Sequence, residues 1–363
     1  MKYIPWSKPL LNKEDKKFLV DAFNSTWISD GDYVNKFQNL IKKKIRRKFA
    51  YTTCNGTAAV HLAYLSLDLK RKDEVIVPAY GYMAGANIGE LMGLKVKFCD
   101  VDINTYCISL NTLKKKISKK TKAVVVINTY GNMGEIFKIS RYLKKKKIYL
   151  IEDAAESIGS KTYNNFSGKF GDISTLSFQS TKNVTTGEGG MILTDNLKIA
   201  KKIKLFRSHG VDKVRYKHLV YGHNFRLSNL LASIGYSQVK RIKSINNQKI
   251  YLYNKYVQHL NLEKINLQDF SKNQKSIPWT FPITLKNLKN TKKLVLYLTK
   301  NNIEIRRGFY SPSRLKLYNI KSGLYPVSDH LSKNVLCLPL FLELDEKKIK
   351  FICSKVNSFL KKN

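Results

Sequence analysis

The chain has 363 residues, 43% of them hydrophobic, enough to fill more than one core, so two domains are expected. Its 66 lysines and arginines face 26 aspartates and glutamates, a formal charge of +40, yet no zinc finger, RNP motif or basic zipper accompanies that charge. The opening MKYIPWSKPLLNKEDKK lacks an apolar leader, and no run approaches the ~18 apolar residues that span a bilayer. Five scattered cysteines (Cys54, Cys99, Cys107, Cys337, Cys353) without a C-x-x-C pair argue against a disulfide framework or structural zinc and point to the cytosol.

Lysine runs recur as KKKIRRK at 42–48, KKKISKK at 114–120 and KKKK at 144–147, near the ends of helix-like segments that lead into strands. Cations suit helix C-termini. The charge therefore reads as solvated surface rather than a nucleic-acid face, with a positive potential that draws in phosphorylated or nucleotide-bearing substrates.

From about residue 50 to 195, the strand-like runs EVIVPAY, KVKFCDV, KAVVVINTY, KIYLIED, ISTLSF and GGMILTD alternate with helix-like segments. That alternation predicts an α/β domain on a largely parallel sheet, with ligands at the carboxyl ends of the strands. Beyond about residue 235, a long charged helical stretch (SQVKRIKSINNQKIYLYNKYVQHLN) precedes WTFPITLKN, the helix-like TKKLVLYLTKNN and a final helix. The expected division is a large α/β domain over 1–240 and a smaller α+β domain over 241–363.

Four groups fall at expected strand ends. Gly56 and Thr57, in CNGTAAVHLAYLSL, open a helix, either as an ordinary cap or as free N–H groups that bind a phosphate. Asp153 closes IYLIED. It is either the N-cap of a helix beginning near Ala154, or a buried carboxylate that keeps a pyridine nitrogen protonated so that the ring acts as an electron sink. Ser177 ends STLS. Lys182 follows in SFQSTKNVTTGEGG, a hydroxyl- and glycine-rich turn where a partly desolvated amine has a lowered pKa and can form a Schiff base.

EDAAESIGS, GDISTLSFQSTKNVTTGEGGMILTD, NGTAAVHLA and GHNFRLSNLLASIGYSQVKRI, with the opening IPWSKPLL, the early TWISDG and the late VLCLPLF, together resemble the DegT/DnrJ/EryC1/StrS family of sugar aminotransferases. The resemblance implies pyridoxal 5'-phosphate as cofactor. It also implies an aspartate-aminotransferase-like (fold type I) large domain with a mixed, largely parallel sheet and a smaller α+β C-terminal domain.

Carried over by position, Lys182 is the Schiff-base lysine, Asp153 the partner of the pyridine nitrogen, and Ser177 with Gly56 and Thr57 the phosphate cup. Tyr82, in PAYGYMAGAN, takes the place of the aromatic that stacks on the cofactor ring, where the plain alternative is a core aromatic. Glu156 falls near the cofactor's phenolic oxygen. Asn224 matches an asparagine that reaches the phosphate from the neighbouring subunit, which implies a homodimer with shared sites, and Arg226 accompanies it toward the substrate. Three departures, Gly81-Tyr82, Gly85 and Gln179, bear on substrate identity. A family branch with histidine in place of the lysine dehydrates sugars, and Lys182 argues against that reaction.

The implied reaction moves an amino group from L-glutamate to a keto-sugar. TWISDG and IEIRRGFYSPSRLKLY look most like the perosamine-synthase-type branch, which acts at C4 of a nucleotide-linked 4-keto-6-deoxy sugar in surface polysaccharide synthesis. Arg306 and Arg307 are candidates to meet a diphosphate, a surface role being the alternative. A 3-keto sugar or a small phosphorylated ketone is the other substrate reading. A non-enzymatic nucleic-acid-binding regulator on the same scaffold is the rival from another class, although no nucleic-acid partner and no membrane span are expected.

Overall fold

The computed structural model of the chain describes residues 2–270 and 273–362. Each of the six apolar runs forms a strand. The strands of the first part are β1 (Phe49–Thr53), β2 (Glu74–Pro78), β3 (Lys95–Cys99), β4 (Thr121–Ile127), β5 (Tyr149–Asp153), the hairpin strands β6 (Lys161–Thr162) and β7 (Asn165–Phe166), β8 (Ile173–Ser177) and β9 (Gly190–Thr194). Seven of these make one sheet in the order β1-β9-β8-β5-β4-β2-β3. It runs parallel from β8 to β3, and β9 lies antiparallel between β8 and β1.

Helices cover both faces of this sheet, which is why its strands read as unbroken apolar runs: every residue of β2 and β9 is buried. The helix Gly56–Ser66 is apolar nearly all round and sits inside the core, with Ala59, Leu62, Ala63 and Tyr64 fully enclosed. The helices Asp32–Ile45, Leu110–Lys116 and Ile136–Lys146 each end on three lysines. The lysine runs thus complement the negative ends of helix dipoles at the surface.

The C-terminal part contributes β10 (Ile265–Leu267), β11 (Gln274–Lys275), β12 (Phe281–Leu285), β13 (Arg306–Arg307) and β14 (Leu336–Leu338). Its antiparallel sheet has the order β10-β12-β14-β13, while β11 joins the β6-β7 hairpin. The helices Ile242–His259, Thr291–Lys300 and Glu346–Lys362 pack on it through Leu252, Tyr256, Leu294, Leu298, Ile349 and Ile352. Among the described residues, no helix is long and apolar enough to cross a membrane.

Three local expectations change. The long charged helical stretch is two helices, Asn229–Lys240 and Ile242–His259, which meet at Arg241, whose guanidinium grips buried Asp15 at 2.6 Å. The start of the chain leaves the large unit: Ile4 bridges to Ile303 and its side chain lies in the C-terminal core. No helix begins at Ala154; a turn follows Asp153, which therefore caps no helix.

Beneath the strand end that carries Asp153 lies a buried polar knot. Glu152 accepts hydrogen bonds from the N–H groups of Gly168, Phe170 and Gly171, from Asn128 Nδ2 and from Ser174 Oγ, at 2.7–3.2 Å. Buried Arg47 donates to the carbonyls of Gly168 and Gly171 and to Ser174 Oγ. Removing one member of such a network strands the others. Glu152→Ala is expected to lower the stability to urea by at least about 3 kcal/mol; a loss within experimental error of zero would contradict this account of β5.

Candidate active site

The carboxyl ends of β2, β4, β5 and β8 open into a cavity of about 590 Å³. Its lining includes Gly56, Thr57, Tyr82, Asp153, Glu156, Ser177, Lys182 and Arg306, so these expected site residues converge. Asn224 and Arg226 do not line it. They lie on the stretch before the helix Asn229–Lys240, where Arg226 Nε donates to Asn224 Oδ1 at 3.0 Å. Arg226 is therefore an exposed loop residue.

Lys182 projects from a turn stabilised by its own N–H bond to the Gln179 carbonyl at 2.8 Å. Its Nζ lies 3.8 Å from Glu156 Oε1 and 3.8 Å from the centre of the Trp279 ring. Burial lowers the pKa of this amine, while Glu156 and then Asp153 act to raise it. Glu156, buried in turn, has its carboxyl pushed up to about 7, against the opposing pull of Lys182 and of a hydrogen bond from the Tyr130 N–H. Burial thus works against the charged form of both partners, while each favours the charged form of the other.

Asp153 is also buried, and burial raises its pKa. Its Oδ1 accepts from the Ala155 N–H at 3.1 Å and from Thr175 Oγ1 at 3.3 Å. Thr175 is in reach because the β5–β8 register sets it opposite Asp153. A carboxylate so enclosed gains from a cationic partner, and a protonated ring nitrogen meets that need.

At the start of the helix Gly56–Ser66, the cap is Asn55, whose side chain accepts from the Ala58 N–H at 2.8 Å. Thr57 is therefore not the cap. Asn55 immediately before an apolar helix is itself a sequence signal for this role. The helix start closes tightly on Ser177: a Cβ at Gly56 would lie 3.0 Å from Ser177 Cβ. Glycine lets backbone amides and the Ser177 hydroxyl face one small space, which suits a phosphate at a positive helix end.

Tyr82 is 63% exposed, so it is no core aromatic; its ring stands at the cavity, free to lie against a planar ligand. Gln179 lines the cavity but folds back on its own turn, accepting from the Thr181 N–H and hydroxyl. Gly85 is outside the lining; its carbonyl accepts from Tyr64 OH in the core, so this departure bears on packing rather than on the cavity. Arg306 is engaged by Glu304 at 2.9 Å and lies over the Trp6 ring, whereas its neighbour Arg307, also on the lining, has no salt bridge among the described residues.

Sequence pattern does not point to Trp6, Tyr130, Glu188, Trp279, Phe309 or Cys337, which also line the cavity. Trp279 lies nearly a hundred residues beyond Lys182, and hydrogen bonds from its N–H to the Tyr130 carbonyl and from its indole to the Thr181 carbonyl bring them together. Tyr130 adopts a left-handed backbone (φ 57°) and stacks between Trp279 and Phe309. Among the described residues, no cluster of histidine, cysteine, aspartate or glutamate could hold a metal ion.

Residues 9–357 match the model of the DegT/DnrJ/EryC1/StrS aminotransferase family. The chain is 33% identical to a GDP-perosamine synthase of Escherichia coli O157:H7, with 99% of each chain covered, and 32% identical to one of Vibrio cholerae, with 98% and 99% covered. Among solved structures, it superposes on the Helicobacter pylori aminotransferase of pseudoaminic acid biosynthesis with a TM-score of 0.93 over the whole of both chains, at 24% identity. A putative sugar aminotransferase of Streptococcus pneumoniae in its PMP form gives 0.94 over 99% of each chain, at 21% identity. The fold is thus the aspartate-aminotransferase-like type I fold.

Pyridoxal phosphate fits the cavity. Lys182 could bond its aldehyde, Asp153 could face its ring nitrogen, and the Gly56–Ser177 cradle could take its phosphate. Above about pH 7 the Glu156 carboxylate favours the Lys182 ammonium; below it, protonation removes that support. Glu156→Gln is therefore expected to lower the pKa of Lys182 and to shift the pH profile of pyridoxal phosphate uptake, followed by visible absorbance, toward lower pH. A profile that stays in place or moves upward would refute the coupling.

Proposed function

The chain belongs to the DegT/DnrJ/EryC1/StrS family of pyridoxal-phosphate-dependent sugar aminotransferases, and from that premise we propose that it moves the amino group of L-glutamate to C4 of a nucleotide-linked 4-keto-6-deoxy sugar for a surface polysaccharide. The observation that carries the proposal is the buried Lys182 amine held between Glu156 and the Trp279 face, with Asp153 in the same cavity. The full-length relatives named GDP-perosamine synthase support the substrate class.

When bound, pyridoxal phosphate supplies an electrophilic aldehyde and an electron sink. Asp153 holds a proton on the ring nitrogen, which its burial and otherwise neutral hydrogen-bond partners favour. The N–H groups of Gly56 and Thr57 and the Ser177 hydroxyl take the phosphate. Tyr82 could stack on the ring, and Glu156 could lie near its phenolic oxygen. The freed Lys182 amine takes the proton from the α-carbon of glutamate and, with the second substrate, returns one to the sugar carbon that becomes C4–H. The balance is glutamate plus keto-sugar giving 2-oxoglutarate plus amino sugar, by ping-pong kinetics.

Arg307, with the positive field of the surface, meets the diphosphate; Arg306, tied to Glu304, serves less directly. Asn224 and Arg226 lie off their own cavity and exposed, which supports a homodimer in which each protomer lends them to the other's site. The protein works in the cytoplasm, where nucleotide sugars are made.

Release of 2-oxoglutarate from glutamate, with a panel of GDP-, UDP- and dTDP-linked 4-keto-6-deoxy sugars, a 3-keto isomer and dihydroxyacetone phosphate, is expected to require one of the 4-keto sugars. Turnover with only the 3-keto isomer or the triose phosphate would overturn the substrate class. Mixing inactive Lys182→Ala with inactive Asn224→Ala and letting subunits exchange is expected to restore about a quarter of wild-type activity, because each hybrid dimer regains one intact site. No recovery, despite hybrids seen by native mass spectrometry, would refute shared sites.

A further inference from the structure

Lys249, on the helix Ile242–His259, is 3% exposed and takes no part in the chemistry above. Its Nζ donates to two main-chain carbonyls, those of Trp279 and Leu340, at 2.7 Å each. Burial, with no charged group acting against it, pulls its pKa down to about 7. Even the neutral amine keeps an N–H for each carbonyl. An apolar side chain of the same length would fill the space without the cost of burying an amine, so what this position uses is the pair of donors.

Both carbonyls belong to the frame of the indole wall. Trp279 comes two residues before β12, and Leu340 two residues after the neighbouring β14. The Leu340 N–H bonds the Trp6 carbonyl at 3.3 Å, and the Trp279 N–H bonds the Tyr130 carbonyl at 3.2 Å. The Trp279 indole donates to the Thr181 carbonyl at 2.8 Å, one residue before Lys182. Its ring meets Trp6 edge-on at 5.5 Å, and its face looks at Lys182 Nζ. Lys249 is thus the side chain that joins the main-chain supports of both indoles.

We propose that Lys249 is a positioning residue for the amination: by clamping the Trp279 and Leu340 carbonyls it holds the indole wall against Lys182, and the Trp279 face then favours the ammonium form of Lys182 whenever its amine is free. The consequence for turnover rests on the reading of Lys182 as the cofactor-bonding lysine; the clamp itself does not. A cation over a partly desolvated indole is stabilised enough that its loss lowers the amine's pKa by about half a unit or more.

The test is competitive labelling of Lys182 with trace acetic anhydride across pH, read by mass spectrometry on the cofactor-free full-length chain, with near-ultraviolet circular dichroism of the indoles. K249M and W279L are each expected to lower the labelling midpoint of Lys182 by about half a unit or more. K249M should also flatten the indole band, and K249R should return both signals toward wild type. A folded K249M with midpoint and indole band unchanged, or a midpoint that rises, overturns the proposal and leaves Lys249 a structural residue. If K249M does not fold, K249Q, which can bond one carbonyl, takes its place under the same criteria, and an unmoved midpoint in W279L overturns the proposal in either case. Because the readout needs no cofactor, its failure is distinct from a failure of Lys182 to take up pyridoxal phosphate.

Discussion

An amine buried beside two carboxyl groups is the constraint on which the rest of this site depends. Taking Lys182, Glu156 and Asp153 out of water disfavours the charged form of each, while their proximity favours opposite charges on the lysine and the acids. The outcome is a lysine more easily deprotonated than those on the surface, a glutamate that titrates near neutrality, and an aspartate better served by a cationic partner. Reactivity of the amine follows from this balance and not from any one group.

Holding those three groups at the right separations is work for the sheet. The β5–β8 register sets Thr175 against Asp153, and the Glu152–Arg47 knot ties the strand end to the loop that returns into β8. Close approach of backbones matters as much. A Cβ at Gly190 would lie 2.4 Å from the Asn55 carbonyl, so only glycine lets β9 pass beneath the cap of the helix Gly56–Ser66. The Gly56–Ser177 cradle is a consequence of that tight passage combined with the free amides of a helix start.

Charge is divided between outside and inside. The lysine runs sit on the last turns of surface helices, where dipoles and solvent accommodate them. Carboxyl groups, scarce in the chain as a whole, are placed where they act: on Lys182, on Arg47 and Lys169 through Asp195, and on Arg306 through Glu304. The net charge of +40 therefore describes the field a substrate meets on approach and says little about the chemistry within.

Much of this was legible in the amino-acid order. Strands covered on both faces read as apolar runs, so β2, β4, β5, β8 and β9 stand out, the edge strand β3 shows as a shorter alternating run, and Asp153, Ser177 and Lys182 are marked by lying at or just beyond strand ends among residues that favour turns. Other features depend on contacts between distant segments, for which no local pattern exists. The break at Arg241 answers to Asp15, more than two hundred residues away, and Ile4 leaves the large unit because its apolar surface is buried only beside Ile303. Arg306, a candidate to meet a diphosphate, lies over the ring of Trp6 from the other end of the chain. The indole over Lys182 comes from the segment that leads into β12, and the lysine behind that indole from the helix Ile242–His259. Periodicity and turn chemistry act over a few residues and so determined the elements and their ends; only tertiary packing decided which side chains share the buried space where charge is costly.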